Sequence, residues 1–122
     1  MTSVLIVEDD TELQELYATM LDDTGFEIEQ AYDGVQALAR LEHAVPDALL
    51  LDIILDEMMG DELYREIQHD PRLAQLPIIV VSVLSAERCR ALLDMDARTI
   101  FLRKPFRRVT LLDALQRALE AG

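Results

Sequence analysis

Asp47-Ala48-Leu49-Leu50-Leu51-Asp52 is a run of apolar residues that stops on a single carboxylate. An apolar run this short, bounded by turn-type residues, reads as a strand covered on both faces, because a strand with one wet face alternates polar and apolar side chains. Asp52 is therefore expected where the strand leaves the core. A lone strand-end carboxylate is often just a solvated cap, so its meaning depends on what else reaches the same edge.

Three other segments repeat the pattern. Residues 4–7 form a β-branched and apolar run that ends on Glu8, Asp9 and Asp10. Pro77 introduces Ile78-Ile79-Val80-Val81, which ends on the hydroxyl of Ser82, and Thr99-Ile100-Phe101-Leu102 leads to Arg103-Lys104-Pro105-Phe106. Residues 26–31 alternate Phe, Ile and Ala with Glu27, Glu29 and Gln30, as a strand nearer a sheet edge does.

Helical spacing fills the intervals. Thr11-Glu12-Leu13-Gln14 reads as a capping box, and Leu13, Leu16, Tyr17, Met20 and Leu21 continue the helix until Gly25 stops it. After the Asp33-Gly34 turn, Val35, Leu38, Ala39 and Leu41 space a short second helix. A loop over residues 56–62 feeds a third, with Leu63, Tyr64 and Ile67 inward and Asp70-Pro71 at its end. Ser85 or Ala86 opens a fourth carrying Cys89, Leu92 and Leu93, and Val109, Leu112, Leu115 and Leu119 space a last helix that runs almost to Gly122. Five strands alternating with five helices predict an α/β domain over residues 1–122, with a parallel sheet, helices on both faces and right-handed crossovers. In open sheets of this kind ligands bind beyond the carboxyl ends of the strands, which here carry Glu8, Asp9, Asp52, Ser82 and Lys104.

The composition narrows the partners. A net charge of -13 argues against a direct grip on nucleic acid or an anionic membrane and favours basic or metal-bearing partners. Cys89 is the sole cysteine, so no intrachain disulfide forms. The first residues lack a signal-peptide pattern and no apolar run approaches the ~20 residues of a membrane span. A soluble, cytoplasmic protein is expected.

Clustered carboxylates repel one another unless a cation joins them, and hard oxygen donors of this type suit Mg²⁺, with Mn²⁺ as the alternative ion. The serine hydroxyl and lysine ammonium opposite them are donors suited to phosphoryl oxygens. A carboxylate between the two sets is a nucleophile able to form an acyl phosphate, and Asp52 is the central candidate.

This set of residues resembles the CheY-like receiver domains of bacterial two-component response regulators, over the whole chain. The resemblance rests on the acid pair Glu8 and Asp9, on Asp52, on Gly60 eight residues later and Ser82 thirty later, on Phe101, and on Lys104-Pro105 before the last helix. Lys104 is also the only lysine beside ten arginines, placed where a compact ammonium is wanted. The resemblance implies a flavodoxin-like (βα)5 three-layer sandwich with strand order 2-1-3-4-5. It implies that Asp52 is the phosphoacceptor, and that Asp9, Glu8 through water, Asp52 and the backbone carbonyl of Ile54 serve the metal. Ser82 and Lys104 would bind the phosphoryl group, with Ser82 and Phe101 as the switch. A sensor histidine kinase or histidine phosphotransfer protein would be the donor. The face made by the fourth helix, fifth strand and fifth helix would then signal to a downstream protein, as a monomer or as a phosphorylation-dependent dimer. The chain would be a stand-alone receiver, and its only catalysis would be of its own phosphorylation and dephosphorylation.

Departures from the family pattern fall at Asp56, where proline is frequent, at Val83, where a smaller residue is usual, and at Asp96, where glycine is common. Ile54 and Leu84 stand two residues beyond Asp52 and Ser82, where polar side chains would orient an attacking water; apolar ones cannot, which implies a phosphoryl lifetime of hours rather than seconds. His43 and His69 read as helix-closing cations, Cys89 as a core residue, Met58 and Met59 as helix-entry packing, and Asp56, Glu57, Asp61 and Glu62 as a solvated surface. Arg103, Arg107 and Arg108 either offset local acidity or dock a partner. Two rival readings stand beside the receiver. One is a pseudo-receiver that works as an interaction or dimerisation module. The other is a haloacid-dehalogenase-like phosphatase, whose nucleophile would precede its acid pair and usually sit in an Asp-x-Asp motif, whereas Ile54 stands at the second position here.

Overall fold

The computed structural model describes residues 2–53, 59–93 and 99–121. Expectations at Ile54, Asp56, Glu57, Met58 and Asp96 lie outside the described residues. The strands are β1 (Ser3–Val7), β2 (Glu27–Ala31), β3 (Ala48–Asp52), β4 (Ile78–Ser82) and β5 (Ile100–Arg103). The helices are α1 (Thr11–Met20), α2 (Gly34–His43), α3 (Met59–His69), α4 (Ala86–Leu92) and α5 (Arg108–Ala121), with a 3-10 turn at Pro71–Leu73. All neighbouring strands run parallel, in the order β2-β1-β3-β4-β5. This is the predicted five-stranded α/β fold, with β2 at an edge as its alternation implied. No helix among the described residues is long and apolar enough to cross a membrane.

The strand pleat divides the core in two. Leu5, Val7, Leu49, Leu51 and Val80 face one side, packed with Ala37, Leu41, Leu63, Tyr64, Ile67 and Leu93 from α2, α3 and the end of α4. Val4, Ile6, Ala48, Leu50, Ile79, Val81 and Leu102 face the other, against Tyr17 and Leu21 at α1 and Leu111, Ala114, Leu115 and Ala118 of α5. Successive residues point to opposite faces, so both faces of the inner strands must be apolar, which is why they read as unbroken runs.

The helix ends and phases differ from expectation in five places. The N-cap of α1 is Asp10, whose side chain accepts from the Glu12 and Leu13 amides, and Gln14 closes no capping box because its amide turns inward. A carboxylate accepts from the free amides of a first turn better than a hydroxyl, which explains the shift. The helix ends at Met20, with Leu21 as cap, and Gly25 at φ +82° completes the turn that follows rather than the helix itself. On α1 the buried side chains are Gln14 and Tyr17 while Leu16 is exposed, and on α2 Ala37 and Leu41 are buried while Val35 and Ala39 are exposed. On α5 the buried stripe is Leu111, Ala114, Leu115 and Ala118, with Val109 outward. Alanine lets a helix backbone approach the sheet closely, so the stripe centres on small residues that a search for large apolar ones passes over.

Cys89 is fully buried, as a core residue should be, and His69 closes α3 with Nδ1 2.7 Å from the Arg65 carbonyl.

The phase of α5 is testable in urea. Leu111→Ala should lower the unfolding free energy by about 2–5 kcal/mol, and Val109→Ala should change it by no more than about 0.5 kcal/mol. The reverse ranking would overturn the assigned face.

Candidate functional site at the carboxyl ends of the strands

Pleat alternation decides which of the predicted residues meet. Residues 4, 6, 48, 50 and 102 face the α1 and α5 side, and continuing that alternation to the strand ends carries Glu8, Asp52 and Lys104 to the same side. Ser82 follows Val80 in pointing to the other side, beside the last pair of the β3–β4 register, Asp52 and Val81. Lys104 comes one residue after β5, and its backbone amide donates to the Ser82 carbonyl at 2.8 Å, which extends the β4–β5 ladder far enough to fix its position.

The result is one ammonium shared by two carboxylates. Lys104 Nζ donates to Glu8 Oε1 at 3.0 Å and to Asp52 Oδ2 in a still shorter contact. Glu8 and Asp52 are 1% and 3% exposed, so both acids have lost most of their water. Burial, then hydrogen bonding and repulsion from Asp52, push the Glu8 carboxyl up to about 8 against the opposing pull of Lys104. Burial alone would depress Lys104, but its bonds to Asp52 and Glu8 outweigh that and hold the ammonium above its ordinary value.

The flanking groups are also fixed. Glu8 Oε2 accepts from the Asp10 amide at 3.3 Å. Asp9 is half-buried and interacts with Glu8 through its side chain. Ser82 is fully buried, and its Oγ accepts from the Leu84 amide at 3.0 Å, which leaves the hydroxyl proton to be donated elsewhere. Phe101 is half-buried and packs against the core on the α2, α3 and α4 side. Val83 points outward at 57% exposure, so it does not crowd Ser82 from the core side. Tyr17 of α1 stacks on Phe106 at 5.5 Å and lines a small apolar cleft with Leu13, Leu16 and Lys104 beside the site.

Glu8, Asp52 and Lys104 are thus gathered at one point, with Asp9 and Ser82 adjoining, and Ile54 lies outside the described residues. Among the described residues no three acidic, histidine or cysteine side chains converge closely enough to form a preformed metal cage; Glu8 and Asp52 converge on Lys104 instead. The donor set nevertheless suits a divalent cation. Glu8 and Asp52, with Asp9 bonded to Glu8, offer the hard carboxylate oxygens such an ion takes, and Glu8 is pushed up first by burial and then by Asp52, a shift that a bound cation would oppose. Gln14 was not legible as part of this edge: it is fully buried, and its Nε2 donates to the carbonyls of Ile6, Glu8 and Ala31. Its position three residues before Tyr17, on the inward stripe of α1, was the available signal.

Known proteins are similar to this chain in sequence and fold. The transcriptional regulatory protein CpxR of Klebsiella pneumoniae is 37% identical over 87% of this chain, and the chain spans 44% of that protein's length. Chemotaxis protein CheY4 of Vibrio cholerae superimposes with a TM-score of 0.88 at 30% identity, covering 98% of this chain and 99% of that one. The receiver domain of the sensor histidine kinase PA1611 from Pseudomonas aeruginosa, solved with a magnesium ion coordinated in its active-site cleft, superimposes at 0.84 with 30% identity and 98% coverage of both chains. The family model of the response regulator receiver domain matches residues 4–116, and with the parallel sheet and the acids and lysine at its carboxyl edge, the chain belongs to the receiver domains of two-component systems.

Proposed function

We propose that residues 1–122 act as one receiver unit that accepts a phosphoryl group on Asp52 from a phosphohistidine of a sensor histidine kinase or histidine phosphotransfer protein. The observation that carries this reading is the sharing of the Lys104 ammonium between Asp52 and Glu8 at the strand ends. An Asp52 oxygen attacks phosphorus as the bond to the donor imidazole nitrogen breaks, and the product is an acyl phosphate on Asp52. Lys104, already against that carboxylate, then has the incoming phosphoryl oxygens as acceptors, and Ser82 has its free hydroxyl proton to give.

Glu8, Asp9 and Asp52, with the backbone carbonyl of Ile54, would hold Mg²⁺ or Mn²⁺. When bound, the ion offsets negative charge between the carboxylates and the phosphoryl oxygens. Movement of Ser82 toward the new oxygens and an inward turn of Phe101 would alter the face made by α4, β5 and α5, which contacts the downstream protein. To turn that face from mostly off to mostly on, phosphorylation must favour the active state by several kcal/mol, about 5.5 for a full reversal from 1:99 to 99:1.

Incubation with acetyl phosphate and Mg²⁺ should give a single acid-stable, base-labile phosphoryl adduct that is absent in Asp52→Asn and forms about 10²-fold more slowly in Lys104→Met. Rapid phosphate release from many esters would support a phosphatase instead, and no adduct would support a phosphorylation-independent module. Once formed, the adduct should persist for hours in purified protein, because the half-buried Leu84 and its counterpart Ile54 offer water no hydrogen bond; a half-life of seconds would overturn this.

The acid pair also sets a pH dependence. In the metal-free protein Glu8 titrates near 8, against 4.5 when unfolded, so the native state holds the extra proton between these values. Stability should therefore fall as pH rises through that window, and the slope should flatten in Glu8→Gln. Added Mg²⁺ displaces the proton, so its apparent affinity should climb over the same range. Urea midpoints and Mg²⁺ titrations at a series of pH values check both.

A further inference from the structure

Gln14 sits on the buried stripe of α1 and is fully inaccessible to solvent. Its Nε2 lies 3.0 Å from the Ile6 carbonyl, 3.2 Å from that of Glu8 and 2.8 Å from that of Ala31. An amide nitrogen only donates, so this is the orientation that avoids setting acceptor against acceptor. The other end of the amide, Oε1, is buried with no hydrogen-bond partner among the described residues. A leucine or methionine would fill the same stripe without burying an unsatisfied acceptor, so what glutamine adds here is the direction of its donors.

Those donors act where the sheet stops supplying partners. The register of β1 with β2 ends at Val7 and Ala31, and the Glu8 amide makes one more bond, to the Ala31 carbonyl at 3.1 Å. Past that point the chain carries Glu8, whose side chain meets both Asp52 and Asp9. Burial of Glu8 and the repulsion of its carboxylate by Asp52 favour splaying of the strand exit. Gln14 opposes this by tying the Glu8 carbonyl to the end of β2 and to α1. Glu8 is then held at each polar atom: its amide by Ala31, its carbonyl by Gln14, and its carboxylate oxygens by Lys104 and the Asp10 amide.

We infer that Gln14 is a positioning residue for the acid pair, holding the Glu8 peptide so that the Glu8 and Asp9 carboxylates face Asp52 in the arrangement that takes a divalent cation. This rests on the proposed metal site. Groups that orient a metal's direct ligands typically contribute about ten- to hundredfold in metal affinity.

The test is a Mg²⁺ titration followed by protein NMR shifts, with no phosphorylation involved. Gln14→Met keeps the length and apolar stem but removes the donors, and its Mg²⁺ affinity should drop about ten- to hundredfold. Leu115→Ala, a truncation in the same core but on α5, should be destabilised yet bind Mg²⁺ like the wild type. If Gln14→Met does not fold, the wild type carries the test: the Gln14 side-chain amide signals should shift with the same midpoint as the backbone amides of Glu8 and Asp9. Unchanged affinity in folded Gln14→Met, or Gln14 signals unmoved at saturating Mg²⁺, overturns the inference alone. A wild type with no Mg²⁺ response overturns the metal site, and the inference with it.

Discussion

One ammonium shared between two buried carboxylates is the constraint on which the carboxyl edge of the sheet depends. Glu8 and Asp52 sit at the ends of neighbouring strands, and both are almost fully buried, with little access to water to dilute their charge. Buried like charges of this kind are tolerated only when paired, and Lys104 is the cation that reaches both. Removing a partner from such a group is far more damaging than replacing the whole group with apolar residues, because it leaves an uncompensated charge. The cluster is therefore poor as a device for stability, and it is on these acids and this lysine that the proposed phosphoryl chemistry rests.

The two-sided core gives that edge its rigidity. β3 and β4 have no polar side chain until their last residue, so the backbone under the site is fixed by packing on both faces. The helices contribute unequally. On one face α1 and α5 press close through alanines and an inward glutamine, and Arg108 of α5 donates to the carbonyls of Met20 and Asp22, where α1 ends. That places Arg108 as a tie between two helices, a role outside the two read from its sequence position. On the other face Phe101 packs at the edge of a cluster that includes Tyr64, whose hydroxyl lies 2.8 Å from that of Thr99.

What was legible in the sequence follows from how each feature is encoded. A strand buried on both faces has to be continuously apolar, so β1, β3 and β4 could be read directly, together with the polar residue that ends each. Their order in the sheet came from the resemblance to receiver domains, because right-handed crossovers alone leave several orders open. Helix phase was harder, because periodicity is sought among large apolar residues while α5 turns Ala114 and Ala118 to the sheet and exposes Val109. Gln14 was hidden for a different reason: a polar residue in the first turn of a helix has an ordinary explanation as a cap, and only the folded positions of the Glu8 and Ala31 carbonyls show what it bonds. Likewise, the acids at residues 8 and 52 and the lysine at residue 104 were foreseeable as a set, but not that the lysine would sit between the acids.

The solitary lysine has a practical side. Reagents that modify amines, whether acylating labels, immobilising surfaces or cross-linkers, find no lysine on this protein except Lys104, and its side chain is 15% exposed at the heart of the acidic cluster. On most proteins such chemistry scatters harmlessly over the surface. Here every lysine-directed tag that succeeds is also a neutralised ammonium beside Asp52, so attachment through this residue and function of the site exclude one another.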